Sequence, residues 1–153
     1  MNIRPYKKSD WKRLCEIHDA ARMDELRGSV NLAAFKSLEN SAEEDGLFND
    51  ELWIGEINNQ IVGFIAFSKE EITWLYIAPK EYRKGYGSQL LDFVLDTVEE
   101  SIQTDVLSGN KSALALYLKK GFKILEKKKG KLGGNESFSV EGYVMEYSTR
   151  RNL

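Results

Sequence analysis

The residues best suited to chemistry lie in Arg83-Lys84-Gly85-Tyr86-Gly87-Ser88, a short basic loop holding two glycines. Before it, Ile72, Trp74 and Tyr76 alternate with Thr73, Leu75 and Ile77, a β-branched and aromatic run that reads as a strand. Pro79 ends that run, because proline lacks the N–H that a ladder needs. After the loop, Leu90, Leu91, Val94, Leu95 and Val98 recur at three- and four-residue spacing and predict an amphipathic helix. A strand, a glycine loop and a helix N-terminus together make an anion-binding arrangement. The first-turn N–H groups have no intrahelical acceptor, and the helix dipole favours negative charge beside them. Glycines at 85 and 87 let a phosphate approach the backbone with no Cβ in the way. The chemistry implied is backbone recognition of a diphosphate.

A second motif follows: Asn110-Lys-Ser-Ala113-Leu-Ala-Leu-Tyr117-Leu-Lys-Lys-Gly121-Phe122. Asn110 suits a helix N-cap and Gly121 the residue just past the helix end. Together with Ile77-Ala-Pro79 and Gly85-Tyr86-Gly87, this segment resembles the GNAT superfamily of acetyl-CoA-dependent N-acetyltransferases. That family carries a [QR]-x-x-G-x-[GA] loop after its fourth strand, followed by N-x-x-A-x-x-x-Y-x-x-x-G-F. One position departs from the pattern. Tyr82 stands where the family has Gln or Arg, with Arg83 one place later.

The resemblance implies acetyl-CoA as cosubstrate and an amine as acceptor, with direct transfer in a ternary complex. Acetyl transfer from a thioester requires a held donor, an uncharged amine, a stabilised oxyanion and a protonated leaving thiolate. By resemblance, the backbone of Arg83, Lys84, Gly85, Gly87 and Ser88 holds the coenzyme A diphosphate. Tyr117 protonates the thiolate, and Asn110 touches the pantetheine arm or caps its helix. The strand Leu75-Tyr76-Ile77 supplies N–H groups to the oxyanion. Glu71 matches the base glutamate of the histone acetyltransferase branch, with Glu56 as a fallback. The alternative reading is a non-catalytic acyl-CoA-binding module of the same fold. No metal is expected.

Composition limits the partners. At 153 residues the chain is expected to form one domain, 1–153, large enough for a hydrophobic core. Its 42% hydrophobic and 30% charged residues are those of a soluble globular protein. A formal net charge of −2 gives no electrostatic case for nucleic acid or membrane. The lone cysteine, Cys15, excludes an internal disulfide and suits a reducing compartment, so a cytoplasmic monomer or homodimer is expected. The first 60 residues hold eight Lys and Arg against twelve Asp and Glu, a lean towards a cationic amine.

The elements that must position these groups follow in order. Asn2 to Tyr6 reads as an edge strand, and Ser9 as the N-cap of a helix presenting Trp11, Leu14, Cys15, His18 and Ala21. His18 and Cys15 share a face, which core packing explains without chemistry. Residues 24 to 51 form a weaker helical region bracketed by Gly28 and Gly46. From Leu52 three strands form an antiparallel meander, turned at Asn58-Asn59 and Lys69-Glu70. Thr104 to Leu107 is a short strand, and Phe122 to Glu126 and Phe138 to Tyr147 are the last two. Lys127 to Asn135 is expected as a mobile loop. The fold class is α/β, a mixed and mostly antiparallel sheet of about six or seven strands flanked by about four helices. An early antiparallel meander argues against a dinucleotide-binding fold, which alternates strand and helix from the start.

Overall fold

A computed structural model describes residues 1–27, 31–132 and 135–150. Seven strands form one sheet: β1 (Asn2–Pro5), β2 (Glu51–Ile57), β3 (Gln60–Phe67), β4 (Glu71–Ile77), β5 (Ser101–Leu107), β6 (Lys123–Leu132) and β7 (Asn135–Ser148). Their spatial order is β1-β2-β3-β4-β5-β7-β6. Every neighbouring pair is antiparallel except β4 and β5, which run parallel. Four α-helices are described: α1 (Trp11–Arg27), α2 (Leu38–Ser41), α3 (Tyr86–Leu95) and α4 (Lys111–Lys119). The mixed, mostly antiparallel sheet with four helices is the architecture expected.

The sheet separates two cores. On one face α3 buries Leu90, Leu91 and Val94 completely against Ile65, Phe67, Ile72 and Ile102, and α4 adds Tyr117. On the other, Leu14 and Ile17 of α1 and Leu38 of α2 pack on Ile54, Phe64 and Ala66. Alternation along β3 divides Ile65 and Phe67 from Phe64 and Ala66, as a strand buried on both faces requires.

In β4 the alternation breaks. Phe67 pairs with Ile72, but Ala66 pairs with Trp74, so Thr73 is an extra residue. Its hydroxyl lies 2.5 Å from Asp50 Oδ2 and 3.1 Å from the Ala66 carbonyl oxygen, which fixes the bulge. The sequence pattern placed Ile72, Trp74 and Tyr76 on one face. The extra residue instead leaves Ile72 in the α3 core and turns Trp74 and Tyr76 to the α1 core.

Other expectations need correction. Ser9 does not cap α1. It lies inside a 3-10 turn, Lys8–Asp10, where the Asp10 carboxylate accepts from the Lys7 N–H at 2.8 Å and from the Arg4 guanidinium at 2.8 Å. Residues 24 to 51 are not one helical stretch: α1 runs to Arg27, and short turns at Leu32–Ala34 and Leu47–Asn49 flank α2. Gly28 lies outside the described residues. The expected lysine-rich loop is largely strand, with β6 reaching Leu132. Cross-strand pairing explains it, since Lys127 and Lys129 each reach Glu141 of β7 at 3.4 Å. The Lys127 ammonium also sits 5.7 Å from the centre of the Tyr143 ring.

The Asn58-Asn59 turn is as expected, both residues taking positive φ. Gly63 of β3 faces Ile77 of β4, and a Cβ there would collide with Ile77 Cδ1 and meet the Tyr76 carbonyl oxygen at 2.7 Å. Gly63→Ala therefore forces β4 outward and is expected to lower unfolding stability by about 1–3 kcal/mol, read from denaturant or thermal unfolding. Unchanged stability would show that β4 is not held this closely.

Candidate active site

The site begins where β4 parts from β5. These strands pair only at Glu71↔Gln103 and Ile72↔Thr104. Beyond the bulge, β4 stays with β3 as far as Gly63↔Ile77, while β5 stays with β7 as far as Leu107↔Gly142. A wedge-shaped gap opens between them. The Ala78 N–H bonds to the Val62 carbonyl of β3 at 2.8 Å, so two-residue alternation turns the N–H groups of Leu75 and Ile77 to the gap. By the same alternation the Tyr76 N–H faces β3, which removes it from the gap-lining set expected from sequence. Its side chain serves the other face.

Tyr117 stands at the apex of the wedge. It is 5% exposed, packs edge-on against Phe122 at 5.0 Å, and its phenol is sensitive to the Thr104 side chain, which opposes the effect of burial. The Thr104 hydroxyl in turn lies 3.1 Å from the Ile72 carbonyl oxygen, at the last paired residues of the two strands. Burial pushes the Tyr117 phenol up to about 12, and the Glu25 carboxylate adds to the shift.

At the mouth of the wedge, α3 starts at Tyr86 with Gly85 as its N-cap. Gly85 has φ +82 and makes no side-chain cap bond, so the first-turn N–H groups lack an intrahelical acceptor. A Cβ built on Gly85 meets nothing within 4 Å, which marks open space beside the loop. Arg83 also takes positive φ, and the Lys84 ammonium pairs with Glu81 at 2.8 Å. Gly87 is closer to the body of the protein, its Cβ position lying 3.7 Å from Ile77 Cγ1. Tyr82, in the departing position, has its phenol pushed up to about 12 by burial first and then by the Asp24 carboxylate of α1.

On the α1 face lies a cleft of about 490 Å³. Its walls include His18, Arg22 and Glu25 of α1, Tyr76 of β4, and Lys128 and Tyr143 of the β6–β7 hairpin. Glu71 opens onto it from the start of β4. Desolvation, then the charges of Asp105 and Asp50, raise the Glu71 carboxyl above its ordinary value, while Lys128 opposes them. Glu56 does not line the cleft; Arg4 holds it at the β1–β2 edge.

Glu25 joins the cleft to the wedge. Its Oε1 accepts from the Tyr76 hydroxyl at 3.1 Å and from Arg22, and its Oε2 accepts from Asn110 Nδ2 at 3.1 Å. Asn110 caps α4 as expected, its Oδ1 accepting from the Ala113 N–H at 3.2 Å. One carboxylate thus spans both arms of the gap. Nothing in the sequence pattern marked Glu25, which reads there as one more charge on a helix; the Arg22/Glu25 spacing of three residues was the available signal.

His18 is buried, its Nδ1 lies 2.9 Å from Asp19 Oδ1, and its ring meets Tyr76 edge-on at 4.9 Å. Burial holds its imidazole below the usual range. Cys15, half-buried one turn earlier, has its thiol pushed up to about 11 by burial and the nearby carboxylates of Asp19, Glu39 and Glu16. Among the described residues no group of three or more His, Cys, Asp and Glu side chains is arranged to hold a metal ion. Among them, too, no helix is long and apolar enough to cross a membrane.

Residues 48–124 match the acetyltransferase (GNAT) domain. An uncharacterized N-acetyltransferase, YafP of Escherichia coli K12, is 27% identical over 103 residues, covering 65% of this chain and 69% of that protein. Two further curated relatives match over only 24% and 55% of their own lengths. Among solved structures, a GCN5-related N-acetyltransferase from Rhodopseudomonas palustris superposes with a TM-score of 0.80 at 17% identity, covering 96% of this chain and 94% of its own. The yncA protein of Salmonella typhimurium, solved with acetyl-CoA, gives 0.72 at 18% identity over 100% of this chain and 96% of its own. With its splayed β4–β5 pair and glycine-opened α3, the chain belongs to the GNAT acetyltransferase family.

Proposed function

We propose that residues 1–153 form one acetyl-CoA-dependent N-acetyltransferase domain that moves the acetyl group directly to a primary amine of a small molecule or peptide. The observation that carries this reading is the wedge itself. It runs from the open N-terminus of α3 to the Tyr117 apex and is joined through Glu25 to a cleft on the opposite face. The yncA structure, which holds acetyl-CoA on the same fold, supports the choice of donor.

The residues present fit that donor. The N–H groups of Arg83 to Ser88 meet the diphosphate, and the open space at Gly85 admits it. The pantetheine arm lies in the gap, against the N–H groups of Leu75 and Ile77 and the Asn110 side chain. In the cleft, Glu71 takes a proton from the acceptor ammonium, a task its raised carboxyl pKa suits. The amine lone pair then attacks the thioester carbon. The new oxyanion is held by the Leu75 and Ile77 N–H groups, which are fixed in place before reaction. As the C–S bond breaks, the nitrogen releases its remaining extra proton to solvent, Tyr117 gives its own proton to the leaving thiolate, and the tyrosinate recovers one from solvent. Its high pKa keeps it in the proton-carrying form, and the same desolvation raises the pKa of the thiol that it serves.

Thermal unfolding with acetyl-CoA tests the donor site, with ATP and NAD as controls. Selective stabilisation is expected, about 2.7 kcal/mol at a hundredfold excess over Kd. Gly85→Val is expected to abolish it, because a β-branched residue does not tolerate φ +82. Stabilisation by all three nucleotides, or retained stabilisation in that variant, would count against the cradle.

Turnover tests the chemistry. Tyr117→Phe is expected to lower kcat by about 10²- to 10⁴-fold while acetyl-CoA binding persists. Equal kcat would assign Tyr117 to packing alone. In the parent, activity should rise with pH as the Glu71 carboxyl ionises; Glu71→Gln should lack that acid limb. An identical pH–rate profile would remove Glu71 as base.

A further inference from the structure

The node at Glu25 does more than join helix to sheet. A carboxylate offers about four acceptor positions on its two oxygens. Among the described residues, Oε1 accepts from Arg22 and Tyr76, whereas Oε2 accepts from Asn110 alone. The Glu25 side chain is 20% exposed and lines the cleft, while Asn110 is not among the cleft walls and belongs to the α4 cap beside the gap. Oε2 therefore sits at the boundary between the space for the donor and the space for the acceptor.

Resting on the acetyltransferase reading, we propose that Glu25 is the residue that selects the acceptor, its Oε2 receiving the amine as an ammonium and guiding the nitrogen to the thioester. An ammonium is a charged donor and forms a stronger bond to a carboxylate than the neutral amide of Asn110 does. Its arrival loosens the hold on Asn110, whose amide is then available to the pantetheine arm. Arg22 balances the Glu25 charge while the cleft is empty, which moderates the cost of burying it. Tyr76 fixes the carboxylate from β4, so the ammonium is presented beside the Leu75 and Ile77 N–H groups.

The other carboxylates are placed for different work. Glu71 feels Asp105, Asp50 and Lys128, whereas the charge that reaches the Tyr117 phenol is that of Glu25. Glu25 is thus the carboxylate linked to both the apex tyrosine and the acceptor wall. Selection by charge follows: the protein should favour an amine over an alcohol of the same shape.

The test uses the full chain saturated with coenzyme A and titrated calorimetrically at neutral pH. The probes are spermidine, phenethylamine and L-lysine amide, with 2-phenylethanol as the uncharged match to phenethylamine. At least one amine is expected to bind, and phenethylamine, if bound, to outcompete its alcohol. Glu25→Gln should weaken the bound amine by about tenfold to a hundredfold while leaving the acetyl-CoA stabilisation in place. Equal amine affinity in parent and Glu25→Gln would overturn the inference, as would no binding by any amine of the panel. Should the variant not fold, the parent decides: phenethylamine and 2-phenylethanol binding equally well overturns it. Amine binding in a parent that acetyl-CoA does not stabilise would fault the donor reading instead.

Discussion

One inserted residue governs the layout of this molecule. Thr73 breaks the two-residue rhythm of β4, and three consequences follow from that single step. The strand swings away from β5, the N–H groups of Leu75 and Ile77 lose their natural ladder partner, and Trp74 and Tyr76 move to the α1 face. A regular strand would have closed the sheet and filled the gap with hydrogen bonds. Unpaired backbone groups are costly where water is excluded, so such an opening persists only because it is held from several sides. Thr73 and Asp50 hold the bulge, the close approach at Gly63 presses the far end at Ile77, and Thr104 ties the apex.

The two faces of the sheet then take separate duties. On the α3 face the proposed donor site is built from main chain: a helix N-terminus, a glycine with positive φ and two strand N–H groups. Such a surface depends little on which side chains surround it. On the α1 face the cleft is built from side chains of α1, β4 and the β6–β7 hairpin, and its character changes with each of them. Glu25 is the point at which these designs meet, since its three partners come from α1, β4 and the cap of α4.

Much of this was legible in the sequence, for identifiable reasons. The apolar spacing from Leu90 to Val94, the Asn58-Asn59 turn and the Asn110 cap are local signals with local causes, and each lies where its chemistry put it. The bulge was not legible, because Ile72, Trp74 and Tyr76 alternate as well as any regular strand. Only pairing with β3 reveals the extra residue. The lysine run was misread for a related reason. Its charge resembles a solvated loop until Glu141 and Tyr143 on the partner strand are known. Glu25 stayed hidden because its partners, Tyr76 and Asn110, lie 51 and 85 residues away.

Cys15 has a practical meaning for anyone working with this chain. A thiol held near pKa 11 is almost wholly protonated at neutral pH, and the thiol form is a poor nucleophile. It will react slowly with aromatic disulfide reagents, so colour from released coenzyme A can be read over a low protein background. It is equally ill suited to exchange with oxidised coenzyme A, which makes stock solutions slow to form mixed disulfides. The protein's one sulfhydryl is chemically quiet beside the free thiol that the proposed transfer would release.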